Sequence, residues 1–580
     1  MEYLDRGLVA IKSNDGIFLS WRLLGTEPDA IAFNVYRDGE LLNHSPITDS
    51  TNYVDANGTL EATYCVRAVL DGKEQAVSRE VKAWPKEHFS IPVQQVPGDD
   101  NFSYFINDGE CGDLDGDGEY EIVIKRISPD PDEHMLFEAY KLDGTMMWRI
   151  NMGPNYLYDA ELNFLVYDLD SDGKAEMVTR TSEGTTDGAG ATIGDENRDG
   201  IGDYRPFSWK FISKGPDFLS VFDGMTGREL DRADYIERNP VIQYGDNYGH
   251  RATKCMFAAV YLDGEKPSLF ITRGIYALIK LEAWNFRNGK LEKLWRFNSN
   301  EWPGYSYQGN HNMSTGDVDN DGYDEIIYAS MTIDQDGKGL YTTELGHGDA
   351  LHVSDMDPGR PGLEVWQCHE TQASGITFRD AKTGLIIFEY DNPKDVGRCC
   401  AGDIDPTHRG FELWGSTGSP MYTCKGEEIG PSSLPMNFMV WWDGDLLREL
   451  LDHHWLGGEV GAGTGQIFKW DYEQKKADVI LNAEGAYSCN WTKGTPTLQA
   501  DLFGDWREEV VWRSADNREL RIYSTTIPTG HRIYTLMHDP HYRENVAWQN
   551  NSYNQPPHTG FYLGDGMDAP PKPNIEVVKP

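Results

Sequence analysis

Residues 113–121 read DLDGDGEYE and run at once into IVIK. The same pattern, Asp-x-Asp-x-Asp-Gly-x-x-Glu followed by a strand, returns as DLDSDGKAE at 168 before MVTR and as DVDNDGYDE at 317 before IIYA. Positions 1, 3, 5 and 9 bear carboxylates: Asp113, Asp115, Asp117 and Glu121; Asp168, Asp170, Asp172 and Glu176; Asp317, Asp319, Asp321 and Glu325. Position 7 (Glu119, Lys174, Tyr323) offers a main-chain carbonyl, and Gly at position 6 permits the sharp turn. Calcium takes about 6–8 hard oxygens in a flexible shell, which such a loop can supply. An EF-hand loop is longer and joins helices. Here the glutamate comes at position 9 and a strand follows, so these read as strand-joining calcium loops. The bland alternative is an acidic turn that holds no ion.

Degenerate copies extend the series. Asp355, Asp357 and Glu364 precede VWQC; Asp403, Asp405 and Glu412 precede LWGS; Asp501, Asp505 and Glu509 precede VVWR. DENRDGIGD keeps the acidic spacing with Asp195, Asn197, Asp199 and Asp203 but precedes no strand, so it reads as an insertion in the second repeat. Two wider gaps contain the same turn-then-strand rhythm, around Asp263 and around Asp443. That makes about eight units, spaced roughly 40–55 residues apart, the signature of propeller blades. Residues 85–580 are thus expected to form one eight-bladed β-propeller, in an all-β protein.

Residues 1–84 differ. IFLSWRL, AFNVYRDG, TNYVDANG and TYCVRAVLDG alternate and end near turn residues. They predict a small fibronectin type III-like β-sandwich, with Trp21, Tyr36 and Tyr64 in its core and no chemistry of its own.

Composition narrows the function. Sixty Gly and 12% aromatics in 580 residues suit an ordered all-β chain with many tight turns. The formal net charge of -42, with no Lys/Arg run, argues against a nucleic-acid partner. No apolar run of about 20 residues predicts a membrane span, and the opening MEYLDRG shows no apolar signal stretch, as expected of a mature secreted protein without its leader or of a cytoplasmic one. Eight scattered Cys show no C-x-x-C pair, so zinc is not expected and buried thiols are. A monomer, secreted or periplasmic, is the expectation.

Three polar, Gly- and aromatic-punctuated segments stand out as ordered loops: GNHNMSTGD with His311, ELGHGDALHVSD with His347 and Asp349, and HDPHYRENVAWQNNSYNQPPH near the end. A lone histidine in such a loop is as readily a hydrogen-bonded structural group as a ligand.

With LDRGLVAIK, SWRLLGTE, GHGDALH, TPTLQADLFGDWREEVVWR, TLMHDPHYR and AWQNNSYNQPPHTGFYLGDGM, the sequence resembles polysaccharide lyase family 11, the rhamnogalacturonan lyases, along essentially its whole length. The resemblance implies an eight-bladed propeller holding several calcium ions. It also implies β-elimination of the rhamnose–galacturonate backbone of pectin, leaving a 4,5-unsaturated uronate. By motif it implies substrate contacts at Asn107, Asn490, Trp491 and Thr492, and catalytic Lys493 and Tyr553. It further implies calcium ligands Asp108, Asn550 and Ser552 near the cleavage site and His311, His347 and Asp349 at another.

The mechanism suits these residue types. A cation on the uronate carboxylate acidifies the neighbouring C–H and stabilises the enolate-like intermediate. Lys493 is the expected base and Tyr553 the leaving-group acid or positioning group. Free Lys titrates near ~10.4 and Tyr near ~10, so either needs a lowered pKa or an alkaline working pH. Departures from the family pattern fall on substrate contacts. Ile127 stands in KRI where the family commonly has Asp, Trp491 where it usually has Gly, the segment GPNYLYDAELNF differs, and LDHHWLGGEVGAGTGQ from Leu451 is inserted. Three alternatives follow: a lyase of another acidic glycan, a non-catalytic calcium-braced glycan-binding propeller, or a hydrolase using paired carboxylates. Endo action is slightly preferred over exo.

Overall fold

The computed structural model describes residues 1–580 except 131, 157–161, 207–210, 371–374, 431–433 and 580. It is all-β. Six separate four-stranded antiparallel sheets follow one another in chain order, from Phe105–Gly112 through Glu428–Gly430. A last, eight-stranded sheet holds Phe438–Val440, Glu449–Trp455, Gly463–Asp471 and Lys476–Tyr487 in one half. Its other half holds Leu498–Ala500, Glu509–Ser514 and Glu519–Tyr523, and its edge is His88–Pro92 from the start of the chain.

The first strands of the sheets touch in succession: Phe105–Gly112, Phe164–Tyr167, Phe257–Val260, Ser314–Gly316, Leu351–Ser354 and Cys399–Gly402. Leu498–Ala500 returns to Phe105–Gly112. The arrangement is propeller-like, and pairing of His88–Pro92 with Glu519–Tyr523 ties its two ends together. Apolar side chains of neighbouring sheets interleave, as Val123, Phe137 and Ile150 do with Phe164, Val166 and Met177.

A helix, Pro540–Trp548, runs against four of the innermost strands. Proline at its first position and the Asp539 carboxylate, which accepts from the Tyr542 N–H at 3.3 Å, start it. Every residue of it after Pro540 is buried. The Arg543 guanidinium donates to both oxygens of Glu2 at 2.9 Å, so the chain's beginning is pinned at the same centre.

The N-terminal part is a β-sandwich of a three-stranded sheet and a five-stranded sheet. Trp21 and Tyr64 are fully buried in it, and Trp21 meets Phe33 edge-on at 5.5 Å. Tyr36 is not in that core. Strands alternate faces, and Phe33 and Val35 point inward, so Tyr36 turns outward and gives its hydroxyl to Glu74. Seven of the eight cysteines are buried, with Cys65 partly so. No helix among the described residues is long and apolar enough to cross a membrane.

Candidate active site and metal centres

The acidic loops fold by one hydrogen-bond code. In the three full copies, the position 1 carboxylate accepts from the N–H groups of positions 5 and 6: Asp113 from Asp117 and Gly118, Asp168 from Asp172 and Gly173, Asp317 from Asp321 and Gly322. The closing glutamate accepts the N–H of position 2 at 2.8–3.0 Å, from Leu114 to Glu121, Leu169 to Glu176 and Val318 to Glu325. The glutamate thus sits on the first residue of a strand yet folds back over the loop. Positions 1, 3 and 9 of each copy bring ligand oxygens within 4.8 Å of one another.

A cation fits these loops. Asp115, Asp170 and Asp319 each bury one carboxylate oxygen that has no hydrogen-bond partner. Burial pushes Asp113 up to about 6, Asp168 to about 7, Glu121 to about 7 and Glu325 to about 9, and the crowded carboxylates add to the shift. The Glu119 side chain lies outside these clusters. Glu119 pairs with Arg79, which leaves its carbonyl role open.

The other copies diverge through protein donors. Asp357 lies 2.6 Å from the Lys425 ammonium; Asp505 is held bidentately by Arg507 at 2.9 and 2.7 Å; Asp403 accepts from the Tyr562 hydroxyl at 2.7 Å. Glu364, Glu412 and Glu509 still cap their loops as in the full copies. One oxygen each of Asp355, Asp403, Glu412 and Asp501 is buried and unpartnered, and Asp405 is bonded to Thr407. Among the described residues, none of these three copies gathers a three-ligand cluster.

Asp443, Asp445 and Glu449 do gather, in the loop WWDGDLLRE, where Trp441 stands at position 1. The turn-then-strand rhythm is what the sequence leads one to expect there; the acidic set is added by the structure. The Lys469 ammonium lies 2.9 Å from Asp443, 2.9 Å from Asp445 and 2.7 Å from Glu449, so a protein cation already occupies this loop. Lys141 similarly reaches Asp115 in the first loop.

Asp195, Asn197 and Asp199 form the same turn on the surface, with Asp199 and Gly200 N–H groups on Asp195. Asp203 is turned away to Arg205. Glu183, from outside the loop, caps it by accepting from the N–H groups of Glu196 and Asn197 at 2.8 and 3.3 Å. No spacing rule could have found Glu183.

The second kind of site lies at one end of the inner strands. His311, His347 and Asp349 converge, and Glu370, missed in the sequence, joins them within 4.8 Å. The His347 Nε2 and one oxygen of Asp349 are buried without a hydrogen-bond partner. Burial lowers His311 well below its usual value and His347 to about 3, leaving neutral imidazoles that suit a metal. The His347 ring stacks on Tyr276 at 3.8 Å, and its Nδ1 faces the Ile275 carbonyl at 3.0 Å. That fixes which nitrogen points into the cluster.

His311 stacks face to face on Tyr553 at 4.0 Å. Lys493 lies over the same ring, its ammonium 3.2 Å from the centroid. Arg398, also missed in the sequence, stands 5.2 Å from that ring, with both terminal nitrogens buried and unpartnered. Burial first, then the Arg398 charge, lowers Lys493 to about 7. The four groups come from four separate stretches of chain, and the buried helix delivers Tyr553 just past its end.

Beside them, Asn490 donates to Asp108 at 2.8 Å and accepts from Asn107 at 3.0 Å. Asn554 also donates to Asp108, at 2.9 Å, and Lys125 pairs with its other oxygen at 2.8 Å. Asp108 is therefore fully engaged with protein. Asn550 bonds Glu110, and buried oxygens of both, Asn550 Oδ1 and Glu110 Oε2, lack partners. Ser552 lies 3.4 Å from His311 and 3.3 Å from Asn163. Thr492 and Trp491 are exposed at the rim.

Comparison with known proteins places this assembly. The family pattern "Rhamnogalacturonan lyase family 11, C-terminal domain" matches residues 88–573. The chain belongs to rhamnogalacturonan lyase family 11. A second pattern, the rhamnogalacturonan I lyase beta-sheet domain, matches residues 1–84. The family member is 51% identical to rhamnogalacturonan endolyase YesW of Bacillus subtilis, over 99% of this chain and 93% of the relative. It is 47% identical to rhamnogalacturonan exolyase YesX of the same organism, over 100% and 98%. The crystal structure of YesX superposes with a TM-score of 0.94 over 100% of this chain and 99% of that one. A Bacillus licheniformis rhamnogalacturonan lyase gives 0.92 at 52% identity, over 100% and 99%.

The segments expected to depart from the family pattern have definite places in the fold. Ile127 ends the strand Glu121–Ile127 and packs into the apolar cluster with Phe137, Ile150 and Phe164. Residues 157–161 of GPNYLYDAELNF lie outside the described residues. The segment from Leu451 forms the hairpin of Glu449–Trp455 and Gly463–Asp471, and its tip lies against Trp491.

Proposed function

We propose that this chain is a rhamnogalacturonan lyase that cleaves the rhamnose–galacturonate backbone of pectin by β-elimination, with Lys493 as base. The observation that carries the reading is the cleft pairing of a depressed lysine with an unpartnered arginine over one tyrosine ring. Arg398 meets the uronate carboxylate with its free donors, as a planar guanidinium suits a carboxylate. That neutralisation acidifies the adjacent C–H. Lys493, largely neutral at pH 8, takes the proton. The C–O bond to the leaving sugar breaks, and Tyr553 positions that oxygen or protonates it. His311, His347, Asp349 and Glu370 would hold one calcium ion, and Asn550 with Ser552 and Glu110 offers oxygens for another. A bound calcium would supply Lewis-acid stabilisation of the developing enolate.

In this reading the chain divides into a fibronectin type III-like sandwich, 1–84, and an eight-bladed propeller, 85–580. The eight-stranded sheet counts as two blades, the last closed by His88–Pro92. Calcium braces the full acidic loops, Lys469 braces its own, and ions at the cleft offset the acidity of a protein meeting a polyuronate. The enzyme acts outside the membrane as a secreted or periplasmic monomer.

Ultraviolet absorbance of the protein with rhamnogalacturonan I tests the reading. A calcium-dependent rise is expected from unsaturated uronate, and saturated products without a rise would replace elimination by hydrolysis. The rate has its own signature. Neutral Lys493 becomes more abundant as pH rises through about 7. Below that, kcat/KM should fall roughly tenfold per pH unit as the base is protonated. A profile flat from pH 5 to 8 would remove Lys493 from the role.

A further inference from the structure

Trp491 is held in a backbone conformation that bulky residues rarely adopt. Its φ is +60°, following Asn490 at +58°. Glycine would sit there without strain. The indole nevertheless remains 54% exposed, more than any other tryptophan among the described residues. It is also braced. The Trp455 ring lies 5.4 Å away at 59°. The backbone of the hairpin tip presses against its edge, since a Cβ on Gly461 would lie 3.0 Å from it and one on Gly458 3.6 Å. Leu456 and Val460 of the same tip are 37% and 46% exposed, which extends the apolar surface. Two residues on, in the same short turn, is Lys493. Strain kept at an exposed aromatic beside a reactive lysine points to use rather than to packing.

We propose that Trp491, backed by Trp455 and the hairpin tip, is a stacking platform for the apolar C–H face of a sugar ring in the backbone, next to the cleavage site. The platform rests on the lyase reading of the cleft. An acidic enzyme repels an acidic chain over distance, whereas a neutral indole face captures a sugar ring through dispersion and apolar burial alone. It would make Trp491 a specificity-determining residue for the backbone.

Trp491→Gly, Trp491→Phe and Trp455→Ala test it on the calcium-loaded full chain. For Trp491→Gly the expected result is a KM on rhamnogalacturonan I raised about tenfold, in line with the loss of one aromatic contact, with kcat falling less than threefold. Trp491→Phe should keep most of the affinity, and Trp455→Ala should lie between. The thermal midpoint of Trp491→Gly should be unchanged or higher, because glycine relieves the backbone, whereas a packing role would lower it. Calorimetric binding of a rhamnogalacturonan oligosaccharide to Lys493→Ala, with and without Trp491→Gly, reads the platform without turnover. Equal affinity in that pair, or a KM within twofold of wild type, overturns the platform. Absence of unsaturated product from the wild type overturns the lyase reading instead, and the binding pair still decides the platform.

Discussion

Lys493→Ala should reduce elimination by roughly 10²–10⁴-fold, the usual contribution of a positioned general base. The loss should fall on kcat, because the uronate carboxylate is met by Arg398 and not by the amine. Folding should hardly notice. The Lys493 ammonium is largely buried, and burial is the main cause of its lowered value, so the folded state gains little from its charge. The thermal midpoint with calcium should therefore stay where it is or rise slightly. Lys493→Arg separates the roles further. It keeps a cation over the Tyr553 ring but cannot deprotonate, so it should be as inactive as alanine. Turnover within tenfold of wild type in Lys493→Ala would sink the assignment and turn attention to Tyr553 as base.

Exhaustive chelation should be nearly as damaging, but to the fold. Each full acidic loop closes on its own hydrogen bonds but crowds buried carboxylates together and leaves one oxygen of its third position without a partner. An ion held at 100 times its Kd stabilises by about 2.7 kcal/mol, so three such loops together contribute on the order of 8 kcal/mol. That is comparable to the whole stability of an ordinary domain. The expected result is a large fall in thermal midpoint, restored by calcium and not by magnesium, whose smaller octahedral shell these loops do not match. The pH dependence supplies a second check. Asp113, Glu121 and Asp168 are pushed up to about 6, 7 and 7 by burial. Without the ion, the folded state therefore binds more protons than the unfolded one between about pH 4 and 7, and stability falls as pH rises through that window. With calcium the order reverses, since protons then compete with the ion for the same oxygens. A midpoint insensitive to verified calcium removal would show the loops to be acidic turns only.

Much of this was readable from the chain. The spacing of Asp113, Asp115 and Glu121 is local, and a nine-residue loop is closed by its own hydrogen bonds wherever it sits. The strand after each loop, the repeat, and the all-β class follow from similarly short patterns. Tyr36 shows the limit even locally. Its face of the strand was decided by register, and a one-residue alternation put it outside.

The cleft was legible only as separate motifs. Lys493, Tyr553, His311 and Asp349 could be named, but nothing in their spacing brings residue 493 over the ring of residue 553. Closing the sheets into a ring does that, by turning the loops at one end of the inner strands toward each other. Arg398 and Glu370 sit in stretches with no distinctive pattern, and Glu183 caps a loop 12 residues away. The sequence cannot say which carboxylates are left open to a cation and which meet Lys425 or Lys469, because those ammonium groups arrive from other parts of the chain. Local spacing determines a loop's shape, since its bonds lie within it. Tertiary packing decides what fills the loop and what it faces, since charge and desolvation depend on neighbours in space.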